Sequence, residues 1–344
     1  GGIVSDTIVA SGGILQLFGG AQVSGTLTIS TGGTLAIGSG YTLNVTSGQT
    51  SAVTILNGGV ANISSSGIAI GTVISSGGME LVASAGVASN TIISSGGTLE
   101  LLGGAILQGA LTVSSGGSLQ IASGYSLDVS SGQTSSVTIL NGGIEYVSAG
   151  GGASGTRVSF GGLEVLSSGS ISSDTIVGSG GLLVLSSGAE MAGFLQLLGG
   201  AQLSGYLNLA SGASLQIASG FALNIESGQT SSVDVLYGGI ESVYSGGITS
   251  ASRIYSGGAE IISSGGLASG SLLYNGGMQV LSFGAVDNGS FISSGGLEVV
   301  SSGGLASNVT VLSGGTLELL SGAQVGGTMT ISAGGTLAIA SGYT

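Results

Sequence analysis

Hydrophobic positions along this chain keep a fixed relation to glycine. A Gly-Gly pair, or a close variant, has its first residue at 12, 32, 58, 77, 96, 116, 142, 161, 180, 212 (Gly-Ala), 238, 257, 276, 295, 314 and 334. Most steps are of 19 residues, with steps of 20 and 26 among them and one of 32. The long step divides as 12 plus 20, because Ala192-Gly193-Phe194-Leu195-Gln196-Leu197 copies Gly12-Gly13-Ile14-Leu15-Gln16-Leu17. Three residues before every pair stands an aliphatic residue: Val9, Ile29, Ile55, Ile74, Ile93, Val113, Ile139, Val158, Val177, Leu209, Val235, Ile254, Leu273, Ile292, Val311 and Ile331. Five residues after the first Gly stands another, as at Leu17, Ile37, Val82, Leu101, Val147, Leu185, Ile262, Val300 and Leu319.

The local period is two. Thr91-Ile92-Ile93-Ser94, Leu99-Glu100-Leu101 and Thr328-Met329-Thr330-Ile331 are short β-branched or alternating runs bounded by Gly and Ser, the signature of short strands between turns. No stripe of helical period is present, and the glycine density opposes a helix by up to ~1 kcal/mol per residue. A unit of two or three such strands cannot bury its own apolar face; stacked copies can, with the aliphatic positions forming interior columns. The expected fold is all-β: a solenoid of about 17 coils, strands of successive coils pairing in parallel, forming a rod about 80 Å long at ~4.8 Å per coil. The glycine pairs belong at corners that need positive φ and leave no room for a Cβ.

Three units of 26 residues carry an extra arm: Tyr41-Thr42-Leu43-Asn44-Val45, Tyr125-Ser126-Leu127-Asp128-Val129 and Phe221-Ala222-Leu223-Asn224-Ile225, each followed by Ser-Gly-Gln-Thr. The arm alternates and is expected to be one more strand that widens the coil. Modules therefore start near 12, 96, 192 and 314, as duplications within a single continuous array over 1–344. The array starts and stops within units, as expected of a segment of a longer chain.

Composition narrows the chemistry. The chain holds 73 Gly and 63 Ser, with no Pro, Cys, His, Trp or Lys. Two Arg face fifteen acids, for a net charge of −13, yet 42% of residues are apolar and only 5% are charged. Disordered chains show the reverse balance, and collagen needs Gly at every third position. The apolar runs are too short to cross a bilayer as a helix, and no N-terminal signal peptide is visible. Without Cys or His there is no Cys/His zinc site, thiol nucleophile or Ser-His-Asp triad. Two arginines cannot neutralise a nucleic-acid backbone.

Units such as Ser294-Gly295-Gly296-Leu297-Glu298-Val299-Val300-Ser301-Ser302-Gly303-Gly304-Leu305-Ala306-Ser307-Asn308-Val309-Thr310-Val311 resemble the 19-residue repeats of AIDA-type self-associating autotransporter adhesin passengers, over the whole chain. The resemblance implies a right-handed parallel β-helix at the bacterial outer-membrane surface, held to the membrane only by a separate anchor outside this chain. It also implies Ser/Thr glycosylation, without singling out an acceptor. The 20- and 26-residue units depart from the plain 19-residue pattern.

Glu80, Glu145, Glu164, Glu241, Glu260 and Glu298, with Gln279 in the same place, fall three residues after the first Gly of their units. Stacking sets Glu145 beside Glu164 and Glu241 beside Glu260. Two readings stand: an acidic stripe that binds calcium or responds to pH, and, preferred, a solvated face that supplies solubility. Paired carboxylates also suit acid–base work on polysaccharides, but Arg157 and Arg253 stand singly and are expected to point outward, so no catalytic, cofactor or metal residue is assigned. Gly150-Gly151-Gly152-Ala153-Ser154-Gly155 matches G-x-G-x-x-G but leads into strand-like Thr156-Arg157-Val158, not a helix. Thr26/Thr28 and Thr328/Thr330 are too sparse for an ice-binding array. Phe160, Tyr237, Tyr244, Tyr255, Tyr274, Phe283 and Phe291 are expected to pack at corners, with an adhesive patch as the other reading. The expected function is an extracellular, non-catalytic rod for self-association, cell adhesion or biofilm formation, whose partner is itself or a host or cell-surface ligand, through Ser, Thr and Asn ladders. The alternatives are a filament subunit stacking end to end and, third, a β-helix polysaccharide-degrading enzyme.

Overall fold

The computed structural model describes residues 1–47, 50–205 and 207–343. Among the described residues regular structure is strand only, stacked in parallel as a β-solenoid of about 17 turns. Two compact units are present. One is built mainly from Gly1–Ile171 with Leu182–Ala189, the other from Ser172–Gly181, Glu190–Leu203 and the chain from Leu207 onward.

A 19-residue coil of the second unit has three sides: Ile240–Val243, Ile248–Ser250 and Arg253–Ile254. Each pairs in register with its counterpart one repeat on, in Ala259–Ile262, Leu267–Ser269 and Leu272–Leu273. The first unit repeats the arrangement, with Met79–Val82, Val87–Ser89 and Ile92–Ile93 beneath Thr98–Leu101, Ile106–Gln108 and Thr112–Val113. The sides are short because each corner consumes residues that cannot be in a ladder. The interior is the expected set of aliphatic columns, among them Ile254, Leu273, Ile292 and Val311 on the third side and Val243, Ile262, Leu281 and Val300 on the first, all buried.

The two glycines of a pair are needed for different reasons. Gly276 has φ +75°, the left-handed region that a Cβ disfavours. At Gly277 an added Cβ would lie 2.2 Å from the Ile254 carbonyl oxygen of the coil below. The close approach lets corner backbones bond to one another in a continuous run: Gly238 N–H to Gly257 O, Gly257 to Gly276 and Gly276 to Gly295, each at 2.9 Å.

The 26-residue units do not widen the coil as the sequence suggested. In the middle one, Ser118–Ile121 lies on the first side of the coil below, paired with Thr98–Leu101, while the strand above it is Val137–Ile139, the third side of the next coil. The arm Ser126–Val129 is itself the first side of that next coil, paired with Ile144–Val147. The stack has moved over by one side about a single shared strand. Thr34–Ile37 and Ser214–Ala218 make the same double use. Around the middle junction the strands Ile106–Gln108, Thr112–Val113 and Ser126–Val129 each end their sheets. The interior opens there into a cleft of about 770 Å³ lined by Leu107, Leu111, Val113, Leu119, Leu127 and Val129. Equivalent clefts of about 590 and 580 Å³ accompany Thr34–Ile37 and Ser214–Ala218. The aliphatic column is accordingly incompletely buried at Ile29, Val113 and Leu209, in the 20-residue units that precede each shift.

Candidate functional site

Strand alternation carries each residue three after a corner glycine to the same face as the residue five after it. The glutamates therefore point inward, beside the aliphatic columns. In the second unit the register aligns Leu223, Glu241, Glu260, Gln279, Glu298 and Leu317 in one column. In the first unit Glu80 lies between Ala61 and Leu99, and Glu145 and Glu164 lie between Leu127 and Leu183. All six glutamates and Gln279 are fully buried. The preferred expectation of a solvated, solubilising face is thus corrected: the column is interior. The expected neighbours Glu145/Glu164 and Glu241/Glu260 do stand in register.

Hydroxyls across the lumen meet these acids. Thr72 Oγ1 donates to Glu80 Oε1 at 3.2 Å and Thr156 Oγ1 to Glu145 Oε2 at 3.4 Å. Ser135 donates to Glu145, Ser231 to Glu241, and Ser271 Oγ to Glu260 Oε1 at 3.1 Å. Burial penalises the charged form and pushes each carboxyl up: Glu80 to about 7, Glu145, Glu241, Glu260 and Glu298 in the same direction. For Glu260 the neighbouring Glu241 adds to burial, and for Glu298 Asp287 and Glu260 do. Asp287, buried on the second side, rises to about 6 from burial, offset in part by Ser290. Among the described residues Glu241 Oε2 and both oxygens of Glu298 find no hydrogen-bond partner. Among the described residues no three acidic, imidazole or thiol groups converge as a metal site.

The outer face of the first side is the inverse of its interior. Ile240, Ala259, Met278 and Leu297 form one outward column, Ser242, Ile261, Val280 and Val299 the other. Ile240 and Met278 are exposed, and most of the remainder half-buried. Ile248, Leu267, Val286 and Leu305 continue this on the second side. The aromatics face outward, and two of them pack over corner glycines as expected. Tyr237, Phe283 and Phe160 are 77%, 72% and 71% exposed, and the Tyr237 and Phe283 rings lie over Gly257 and Gly303 of the next coil. Tyr255 and Tyr274 stack with centroids 5.0 Å apart. The arginines stand outward as expected, Arg253 Nη1 reaching Asp234 Oδ1 at 3.2 Å. Neither joins the interior carboxylates. Outward amides pair along the stack, Asn308 Nδ2 with Asn288 Oδ1 at 2.8 Å and Asn62 Nδ2 with Asn44 Oδ1 at 3.0 Å. Gly152–Ser154 and Arg157–Val158 are strands, so the glycine-rich motif opens no helix.

No protein-family model matches the chain, and no curated protein matches it. Among solved structures the chain is similar to the TibC-catalyzed hyper-glycosylated TibA55-350 fragment, at 27% identity over 90% of this chain and 96% of that one, with a TM-score of 0.39.

Proposed function

We propose that this chain is a non-catalytic, extracellular adhesive solenoid whose outer sides associate with further copies of itself. The observation that carries the reading is the outward aliphatic face built on Ile240, Met278, Leu297, Ile261, Val280 and Val299. The inner face of these strands shares its aliphatics with carboxyls while the outer face is left largely aliphatic, and contiguous exposed apolar patches mark interaction sites. The exposed rings of Tyr237 and Phe283 widen the surface. The self-associating adhesin repeats that the sequence resembles fit the same role. The contact proposed is apolar, with the Ser and Asn ladders at its rim.

Each copy carries −13, so approach is opposed by repulsion that salt screens within ~8–10 Å, while apolar contact is unaffected or strengthened. Sedimentation velocity of the purified chain is expected to show concentration-dependent association that grows between low and moderate salt. Met278→Ser with Val280→Ser is expected to weaken it by about tenfold, at an unchanged thermal midpoint, since about 1.4 kcal/mol of contact is removed. Monomeric behaviour at all concentrations and salts would sink the reading.

A further inference from the structure

One coil departs from the interior pattern in two places at once. In several other coils the inward residue after the corner is a glutamate and the residue eleven further on is a hydroxyl facing it, as in Glu80/Thr91, Glu145/Thr156 and Glu260/Ser271. In this coil the acid is a carboxamide, Gln279, the hydroxyl is Ser290, and an aspartate, Asp287, stands where the coils below and above have Ala268 and Ala306. All three side chains are fully buried.

Their contacts are specific. Ser290 Oγ lies 3.3 Å from the Gln279 carbonyl oxygen Oε1 and is bonded to Asp287 Oδ1. Gln279 Nε2 donates to Glu260 Oε2 at 2.8 Å. The hydroxyl has one proton and two acceptors, and the shorter contact assigns that proton to Asp287. A nucleophile is thus held by a base, beside a carbonyl whose nitrogen touches an acid, in a lumen lined by Leu273, Leu281 and Ile292. Holding a hydroxyl 3.3 Å from the oxygen of the carbonyl it would attack makes the step intramolecular, and a hydroxyl is activated by an adjacent base.

We propose that Ser290 and Gln279 join in an intramolecular ester, with loss of ammonia, that locks the corner before the third side of this coil to its first side. Ser290 Oγ bonds to the Gln279 side-chain carbonyl carbon as its proton passes to Asp287. The carbon–nitrogen bond then breaks, and the departing nitrogen takes its third hydrogen from the Glu260 carboxyl. Asp287 ends protonated and Glu260 ionised, so the proton count of the pair is unchanged, and no oxidant or co-reactant is needed. Burial suits both groups to these parts, since it brings Asp287 to about 6 and, with the neighbouring Glu241, raises Glu260 well above the ordinary carboxylate range. The glutamate-bearing coils cannot follow the same route, because their leaving group would be water, which the reverse reaction restores.

Intact-mass spectrometry of the full chain tests this. The expected mass is about 17 Da below that of the encoded sequence, the ammonia lost; a mass equal to the sequence overturns the proposal. Asn57-Gly58, Asn141-Gly142, Asn275-Gly276 and Asn288-Gly289 lose the same mass if they close to succinimides, so Ser290→Ala is the deciding variant. It is expected to show its full sequence mass, and a persistent deficit overturns the ester. A readout independent of folding is hydroxylamine treatment of the denatured natural chain. A hydroxamate at residue 279 supports the ester, whereas hydroxamates at asparagines alone overturn it. Asp287→Asn is expected to slow the appearance of the deficit by about 10²-fold without changing the fold.

Discussion

At the residue scale, the corner on the second-to-third side shows how one coil dictates the next. The left-handed position there is filled by Asn or Asp in some coils, by Gly in others and by Ala251 in one. Asn90, Asp174 and Asn308 have φ of 53°, 56° and 56°. Each aims its Oδ1 at a backbone N–H one coil on: Ala110 at 3.0 Å, Phe194 at 3.2 Å and Thr328 at 3.0 Å. That oxygen occupies the space a Cβ would need at the next corner, 2.4 Å from an added one at Gly109 and 2.2 Å at Gly193 and Gly327. An Asn or Asp below therefore requires a glycine above. The same logic grades the glycine pair. Gly277→Ala drives a Cβ into the Ile254 carbonyl, with no flexible neighbour to yield, and is expected to cost about 2–3 kcal/mol. Gly228 has φ +80° but open space beside it, so Gly228→Asn is expected to cost about 1 kcal/mol or less. Paired thermal melts check the order.

At the element scale, the first-side strand is a compromise between interior and exterior. Burial raises the carboxyls of Glu80, Glu145, Glu241, Glu260 and Glu298, which fixes how stability depends on pH. A carboxyl whose pKa is raised on folding binds its proton more tightly in the folded chain. Its stabilisation is full below the unfolded value and is lost as pH rises through the folded one. For Glu80 that window runs from 4.5 to about 7, about 3 kcal/mol at ~1.4 kcal/mol per unit. Glu145, Glu241, Glu260, Glu298 and Asp287 act in the same direction. The thermal midpoint is expected to be highest near pH 4 and to fall by pH 8; a midpoint that rises over that range contradicts the interior placement of the acids. Glu298, with no partner for either oxygen, sits in a column that continues as Leu317. Glu298→Leu is expected to raise the midpoint at pH 8 and to flatten the profile, because an unpaired buried carboxyl costs more than an apolar replacement.

The repeat made most of this visible in advance. Stacked parallel strands, corner glycines and interior aliphatic columns follow from spacing alone. The inward glutamates were legible as well: Glu260 and Ile262 are two residues apart, so a strand that buries Ile262 must bury Glu260. The charge of the residue type argued against its parity, and parity decides. The path of the arms was not legible. Ser126-Leu127-Asp128-Val129 alternates whether it widens a coil or starts one, and only the pairing of Ser118–Ile121 with strands of two different sides distinguishes them. Nor did composition reveal that Ile261, Val280 and Val299 face outward, since hydrophobic residues on both faces of a strand read as one buried run.

At the scale of the whole molecule, each unit is a stack that holds together by contacts between neighbouring coils, so local stability varies with what lies above and below. The strands that end their sheets at a module junction lack a partner on one edge. Amides of Ile106–Gln108 and Thr112–Val113 are expected to exchange faster than those of Ala259–Ile262, which is paired on both edges. Equal protection in hydrogen-exchange mass spectrometry would argue against open junctions.

The shared strand also governs how such a stack would bear force. In a regular stretch, tension applied along the stack is divided among the ladders of three sides. At Ser118–Ile121 one strand alone joins the coil below to the coil above. The load concentrates on that ladder, and extension begins there, one module at a time, while the coils between junctions stay closed. A tether built this way lengthens in steps before it fails, and the step size is set by the distance between the 26-residue units.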